Sequence, residues 1–346
     1  VTLTDVESLA HARLDPAWRE YFVGGAGDER TLRANIEAFA RHTLRPRVLA
    51  GIERATAATT VLGHELAAPL LVAPIGYMGR AHADGEEGMA RAAAAVGCGL
   101  CLSSFATATP AAVTAAATGL VRWLQVYTFR DRGITDDLIA EALEAGFTVI
   151  VLTVDLPVLG SRDRERRIDW VMPEDDVPAV VRARAHGIEG AWVEVTDPAL
   201  DWAYVEHLVS RFGVPVVIKG VATAEDAVLA AEHGAAAVVV SNHGGRQLDL
   251  APATVDVLPE IVDAAGDRLE VLLDGGIRRG SDVLVALALG ARAVLAGRMP
   301  LWGLAAGGEA GATEVLRLLV EEIEVGLHLL GCRSPGDVGR AHVTRR

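Results

Sequence analysis

Eight short apolar runs, each followed by a stretch of helical periodicity, constrain this chain more than any other feature of its sequence. The runs are Pro69–Gly76, Gly99–Phe105, Val121–Tyr127, Thr148–Asp155, Val214–Gly220, Ala236–His243, Leu269–Gly276 and Ala293–Arg298. Unbroken apolar runs of this length fit strands buried on both faces, as in a parallel sheet. Between them, Asp84 with Glu87 and Thr223 with Asp226 look like capping boxes, and Thr254 and Ser281 open further helices. Gly146, Gly234 and Gly290 sit where helices should stop. Eight β–α units in order over about 250 residues predict an α/β fold, a (β/α)8 TIM barrel. A doubly wound sheet competes for such alternation, but eight units and the lack of a glycine-rich turn after the first strand favour the barrel. Residues 1–65 read as an N-terminal helical extension and 66–346 as barrel and C-terminal helices, together one domain. The interval between the fourth and fifth strands is much the longest. Its segment 170–199 is rich in Pro, Asp and Glu and is predicted to form a mobile loop over the barrel mouth.

Composition narrows the partners. The net charge of −14 argues against a polyanion such as nucleic acid. No apolar stretch approaches the roughly 20 residues of a membrane span, and no secretory signal is recognisable, so no membrane partner and a cytoplasmic location are expected. Only Cys98, Cys101 and Cys332 are present, an odd count that fits a reducing compartment. Cys98 and Cys101 have the spacing of a metal or redox pair. No second pair completes a zinc site, so both read as core residues and no metal site is predicted.

The rare residues are more informative. Lys219 is the only lysine among 32 basic residues, and it ends an apolar run. In a chain that otherwise uses arginine, this points to a task for a compact point charge. Asparagine occurs only at Asn35 and Asn242, and glutamine only at Gln125 and Gln247. A barrel carries its active site at the C-terminal ends of its strands, and both glutamines, Asn242 and Lys219 fall near those ends. So do Ser103, Tyr127, Thr153, Asp155, Ser241, His243 and Arg246. Asp274-Gly275-Gly276-Ile277-Arg278 after the seventh strand, with Gly297-Arg298 after the eighth, makes a phosphate cradle at the usual barrel location. Ser103, Gln125 and Thr153 offer neutral partners to a heteroaromatic ring, and Lys219 could stabilise negative charge on it. His243 with Asp155 offers a base and the carboxylate that orients it. Arg162 and Arg246 could grip a carboxylate bidentately, whereas Arg164, Arg166 and Arg167 read as a solvated charged strip.

At these residues the sequence resembles the FMN-dependent L-2-hydroxy acid oxidase and dehydrogenase family, which includes glycolate oxidase, lactate oxidase and mandelate dehydrogenase. The match runs from Tyr21-Phe22-Val23-Gly24-Gly25-Ala26 and Asp28-Glu29-Arg30-Thr31-Leu32, through Ser241-Asn242-His243-Gly244-Gly245-Arg246-Gln247-Leu248-Asp249, to Gly331-Cys332-Arg333. The resemblance implies FMN as cofactor and oxidation of a 2-hydroxy acid to the 2-oxo acid, with O2 reoxidising the flavin to give hydrogen peroxide. It implies His243 as catalytic base, Asp155 as its orienter, and Arg162, Arg246 and Tyr21 on the substrate carboxylate. Tyr127 would bond the substrate oxygen and Phe105 would line the substrate pocket. Ala73, Pro74, Ile75, Ser103, Gln125 and Thr153 would contact the isoalloxazine and ribityl groups. Lys219 would sit near the N1–O2 edge and favour the anionic reduced flavin, and Ser241 would also contact the cofactor. Asp274, Gly276, Arg278, Gly297 and Arg298 would hold the ribityl phosphate. A homotetramer is the implied assembly.

Several positions depart from the plant glycolate oxidase pattern. Phe105 replaces a tryptophan, Phe22 replaces a tyrosine, and Gly76 stands where many oxidases carry alanine and mandelate dehydrogenases carry glycine. Phe105 and Tyr77 leave room for a side chain larger than that of glycolate. The same reductive chemistry with a quinone or protein acceptor is the nearest alternative. A Schiff-base lyase using Lys219 and a non-catalytic flavin binder are the others.

Overall fold

The computed structural model describes residues 2–170 and 196–346. Eight parallel strands close into a barrel: β1 (Leu70–Val72), β2 (Gly99–Ser103), β3 (Arg122–Val126), β4 (Val149–Thr153), β5 (Val216–Val221), β6 (Ala237–Val240), β7 (Glu270–Asp274) and β8 (Ala293–Ala296). All eight lie within or at the edge of the apolar runs. Each is followed by a helix on the outer face: Gly85–Val96, Pro110–Ala116, Arg132–Glu144, Trp202–Phe212, Ala224–Glu232, Thr254–Ala265, Gly280–Ala288 and the long Arg298–Leu330, which kinks at Gly307 and Gly308.

Strand alternation divides the apolar side chains between two cores. Leu71, Cys101, Trp123, Val149, Val151, Val217, Val239, Leu272 and Leu295 fill the barrel interior, while Leu70, Leu100, Leu124, Ile150, Ile218, Val238 and Leu273 face the helices. Cys101 falls inside the barrel and Cys98 outside it, both buried, so their spacing reflects two cores and not a shared site.

The helix signals are realised unevenly. Thr223 Oγ1 accepts from Asp226 N at 3.3 Å as predicted. Asp84 makes no side-chain cap; its Oδ2 instead accepts from Glu309 N at 2.8 Å, tying the first barrel helix to the last. The seventh helix starts at Gly280, one residue before Ser281, because Asp282 Oδ2 accepts from both Arg278 N and Arg279 N.

The N-terminal extension is only partly helical. Helices Val6–Arg13, Pro16–Val23 and Arg30–Glu37 are followed by short strands that the sequence reading missed. His42–Leu44 pairs antiparallel with Val343–Arg345, closing the two ends of the chain on one another. The hairpin Thr59–Val61/His64–Leu66 sends Val61 and Leu66 into the barrel interior, and Leu62 N donates to the carboxylate of Glu270 at the start of β7. The hairpin thus stoppers the N-terminal end of the barrel and leaves the opposite end for chemistry. Of the loop predicted over 170–199, residues 171–195 lie outside the described residues. Trp170 packs against Trp18 and Tyr21, and Thr196 pairs with Phe129.

Candidate active site

Strand register brings the uncommon polar residues into neighbouring positions at the C-terminal mouth. Ser103 lies beside Gln125 across β2–β3, and Thr153 beside Lys219 across β4–β5. Beyond Lys219 the register shifts at Gly220, which has φ +115°. A Cβ there would meet Asp155 Cβ at 2.6 Å, so only glycine leaves Asp155 its place. A cavity of about 400 Å³ opens above these strand ends. Of the predicted site residues, Tyr21, Ala73, Pro74, Ile75, Ser103, Phe105, Tyr127, Thr153, Arg162, Lys219, His243, Arg246, Asp274, Gly276, Arg278, Gly297 and Arg298 line it. Asp155, Gln125 and Ser241 stand one layer behind.

His243 follows β6 in a turn whose residues 243, 244 and 245 all have positive φ, at 58°, 63° and 76°. Its Nδ1 lies 2.7 Å from Asp155 Oδ1 and its Nε2 lies 3.3 Å from the Tyr127 hydroxyl. Asp155 thereby fixes one ring nitrogen and leaves Nε2 toward the cavity. Burial lowers the imidazole below its ordinary range; Asp155 opposes this, while Lys219 and Arg162 reinforce it. The imidazole therefore rests neutral at physiological pH and can accept a proton. Burial acts to raise Asp155, but its interactions with His243 and Lys219 outweigh this and hold the carboxyl below its usual range. Burial also pushes the Tyr127 hydroxyl up, so it remains a donor.

Lys219 Nζ sits 3.0 Å from Asp274 Oδ2 and donates to Ser241 Oγ at 3.1 Å. Burial disfavours its charge, yet Asp274, Asp155 and Tyr127 hold the ammonium above its ordinary range. An ammonium stabilised in this way is a poor nucleophile, which counts against the Schiff-base alternative.

The turn after β6 is docked onto the N-terminal segment residue by residue. Asn242 and Asn35, the only asparagines in the chain, exchange reciprocal amide hydrogen bonds of 2.8 Å each. Gly245 O accepts from Ala26 N at 2.9 Å, and Asp249 Oδ1 accepts from Thr31 N at 2.8 Å. Arg246 Nη1 donates to the carbonyls of Tyr21 and Gly24, and Gln247 Nε2 donates to those of Asp155 and Val158.

Arg164 departs from the reading as a solvated strip. It bonds both carboxylate oxygens of Glu29 and one of Glu20, anchoring the short helix Asp163–Arg167 to the N-terminal helices. This helix and the residues just after it hold two site residues that sequence reasoning missed. Glu165 is buried among the arginines of the cavity, and Trp170 stacks on Tyr21 with ring centroids 5.2 Å apart. Leu156 and Leu159 also line the cavity.

The residues fit an anionic, ring-bearing cofactor. Gln125 Nε2, Thr153 Oγ1 and Asp274 Oδ1 are buried without a hydrogen-bond partner among the described residues. Three buried guanidiniums crowd the same region. Arg298 is pushed down to about 9 by burial and by Arg246 and Arg278. Arg246 is pushed down to about 10 by burial and Arg162, and burial lowers Arg278 as well. Such a cluster is stabilised by anions. Arg298 lines the cavity while donating to the carbonyls of Phe22, Gly24 and Gly244, whereas the Arg278 side chain donates to the carbonyl of Ile277. Gly276, at φ +85°, brings its backbone so close to Asn35 that a Cβ would lie 2.1 Å from Asn35 O.

Residues 10–345 match the profile of the FMN-dependent dehydrogenases. The chain belongs to that family. FMN is its cofactor, and its chemistry is the FMN-dependent oxidation of a 2-hydroxy acid. Family relatives include an L-lactate oxidase of a Nostoc species, 43% identical over 98% of this chain and 96% of that protein. Glycolate oxidase 1 of Oryza sativa subsp. indica is 41% identical over 98% of this chain and 94% of its own length. A mandelate oxidase structure superposes with a TM-score of 0.92 at 38% identity, covering 100% of this chain and 98% of that one.

Proposed function

We propose that this chain is an oxidase of L-2-hydroxy acids that carry an apolar side chain, with O2 as electron acceptor and hydrogen peroxide as co-product. The observation that carries the assignment is the buried His243–Asp155 pair, whose Nε2, beside the Tyr127 hydroxyl, faces a cavity bounded by Arg162 and Arg246. FMN held there would supply the two-electron redox chemistry, with O2 as the final acceptor. Gln125, Thr153, Ser103 and the backbone at Ala73–Ile75 would hold the ring, with Lys219 and Ser241 at its anionic edge. Asp274, Gly276, Arg278, Gly297 and Arg298 would hold the ribityl phosphate.

The chain's own residues bind, orient and move a proton. Arg162 and Arg246 take the substrate carboxylate, with Tyr21 beside them. Tyr127 donates to the substrate hydroxyl oxygen. His243 Nε2 accepts the proton that leaves the substrate as its C2 is oxidised, and Asp155 stabilises the resulting imidazolium through Nδ1. Relatives named for lactate, glycolate and mandelate support a small 2-hydroxy acid as substrate. Phe105, Tyr77, Leu159 and Trp170 provide apolar walls, and a Cβ at Gly76 would approach Phe105 Cβ to 3.1 Å. This supports a side chain larger than hydrogen.

Burying an added apolar group of phenyl size is worth about 2 kcal/mol, roughly thirtyfold in kcat/KM. Oxygen uptake with glycolate, L-lactate and L-mandelate tests this: activity should rise with side-chain size, and a preference for glycolate would reject the substrate class. A single catalytic domain, a cytoplasmic location and a homotetrameric assembly complete the proposal, and sedimentation of the purified protein tests the last.

A further inference from the structure

We infer that Glu165 is a charge-offsetting residue of the substrate-carboxylate subsite, holding down the affinity of Arg162 and Arg246 for a carboxylate. The inference rests on the proposed role of these two arginines. One oxygen, Glu165 Oε1, lies 3.4 Å from Arg162 Nη1 and 3.6 Å from Arg246 Nη2. Glu165 itself lines the cavity, and all three side chains are close to fully removed from solvent. Its position is imposed from both sides. Arg164 ties the preceding turn to Glu20 and Glu29, and Glu165 O accepts from Trp170 N at 2.9 Å.

The charge count explains what this carboxylate does. Two buried guanidiniums carry two positive charges, and Glu165 cancels one. A monocarboxylate substrate then neutralises the cluster exactly once, and the 2-oxo acid product, which carries the same carboxylate, is bound no more strongly. Without Glu165 the pair would hold both anions against two uncompensated charges in a low-dielectric site, where such terms are large. Tight binding of substrate and product alike adds nothing to turnover. Arg246 stays oriented in either case by the carbonyls of Tyr21 and Gly24, so Glu165 acts on it chiefly through charge.

The test titrates oxidised holoenzyme with phenylglyoxylate and with its uncharged amide, reading the perturbation of the flavin visible band. E165Q keeps an acceptor at the same place and removes the charge. It should bind the carboxylate at least tenfold more tightly and the amide within threefold of the parent protein. E165D, which keeps the charge, should stay within threefold for both. Unchanged or weaker carboxylate binding in E165Q, an equal shift for acid and amide, or an E165Q that no longer retains FMN would each overturn the inference. R246M tests the underlying reading separately. It should abolish the preference for acid over amide, and a preference that survives in R246M would reject the carboxylate subsite itself.

Discussion

Replacing Asp155 by asparagine isolates the term that makes His243 an effective base. The two side chains meet at 2.7 Å in a largely buried setting, and His243 lines the cavity while Asp155 does not. Proton transfer to Nε2 creates an imidazolium whose charge centre lies about 4 Å from the carboxylate. At an effective dielectric constant of about 20, that attraction is worth about 4 kcal/mol. An asparagine retains a hydrogen bond but not the charge, so most of this stabilisation disappears in D155N. Each 1.4 kcal/mol corresponds to about a factor of ten in rate, so the reductive half-reaction should slow by about a thousandfold. Binding of a non-reacting 2-oxo acid should change by less than about threefold, because the carboxylate group of Asp155 does not line the cavity. Anaerobic stopped-flow reduction at saturating substrate measures the first quantity, and the flavin perturbation titration measures the second. A D155N enzyme reduced within tenfold of the parent rate would refute the assignment of Asp155 to the imidazolium.

Three further outcomes follow from the geometry. Because His243 is held below its ordinary 6.5, kcat/KM should stay level down to that pH and fall only as His243 is protonated at lower pH. Asp155 raises the imidazole, so D155N should move the acid limb lower still; an upward move would contradict the pairing. N35A leaves the buried amide of Asn242 short of a partner and removes the acceptor of Thr254 N, at a cost of about 1–3 kcal/mol. Urea denaturation of N35A, N242A and the double variant should give a double-variant loss smaller than the sum of the singles, and strict additivity would show that the pair is not coupled. G276A forces a Cβ against Asn35 O in a left-handed backbone and should lower Tm and release FMN on gel filtration, whereas a variant with unchanged Tm and flavin content would contradict the close approach.

The barrel was legible because strands buried on both faces leave short unbroken apolar runs, and because the site of a barrel lies where those runs end. Lys219, Asn35 and Asn242 announced themselves by rarity, although the pairing of the two asparagines emerges only when the Arg30–Glu37 helix docks on the turn at His243. Glu165 was hidden for the opposite reason. It stands in a run crowded with arginines, and only the fold shows that Arg164 turns outward to Glu20 and Glu29 while Glu165 turns inward. The strands His42–Leu44 and Val343–Arg345 have three residues each and lie at opposite ends of the chain, too short for any periodicity to register. Asp84 carried a capping signal that its contact with Glu309 N overrode, a tertiary hydrogen bond that local sequence does not encode.

On the proposed chemistry, His243, Arg162 and Arg246 act on a 2-hydroxy acid at the barrel mouth, where FMN would supply the redox chemistry and oxygen would be the final acceptor. An anaerobic visible spectrum of the holoenzyme, titrated with L-mandelate or L-lactate and then opened to air, tests it most directly. Bleaching of the flavin band by the L-acid, then rapid recovery in air with release of hydrogen peroxide, is the expected result. A band that neither acid bleaches, or one that stays bleached in air, would contradict it.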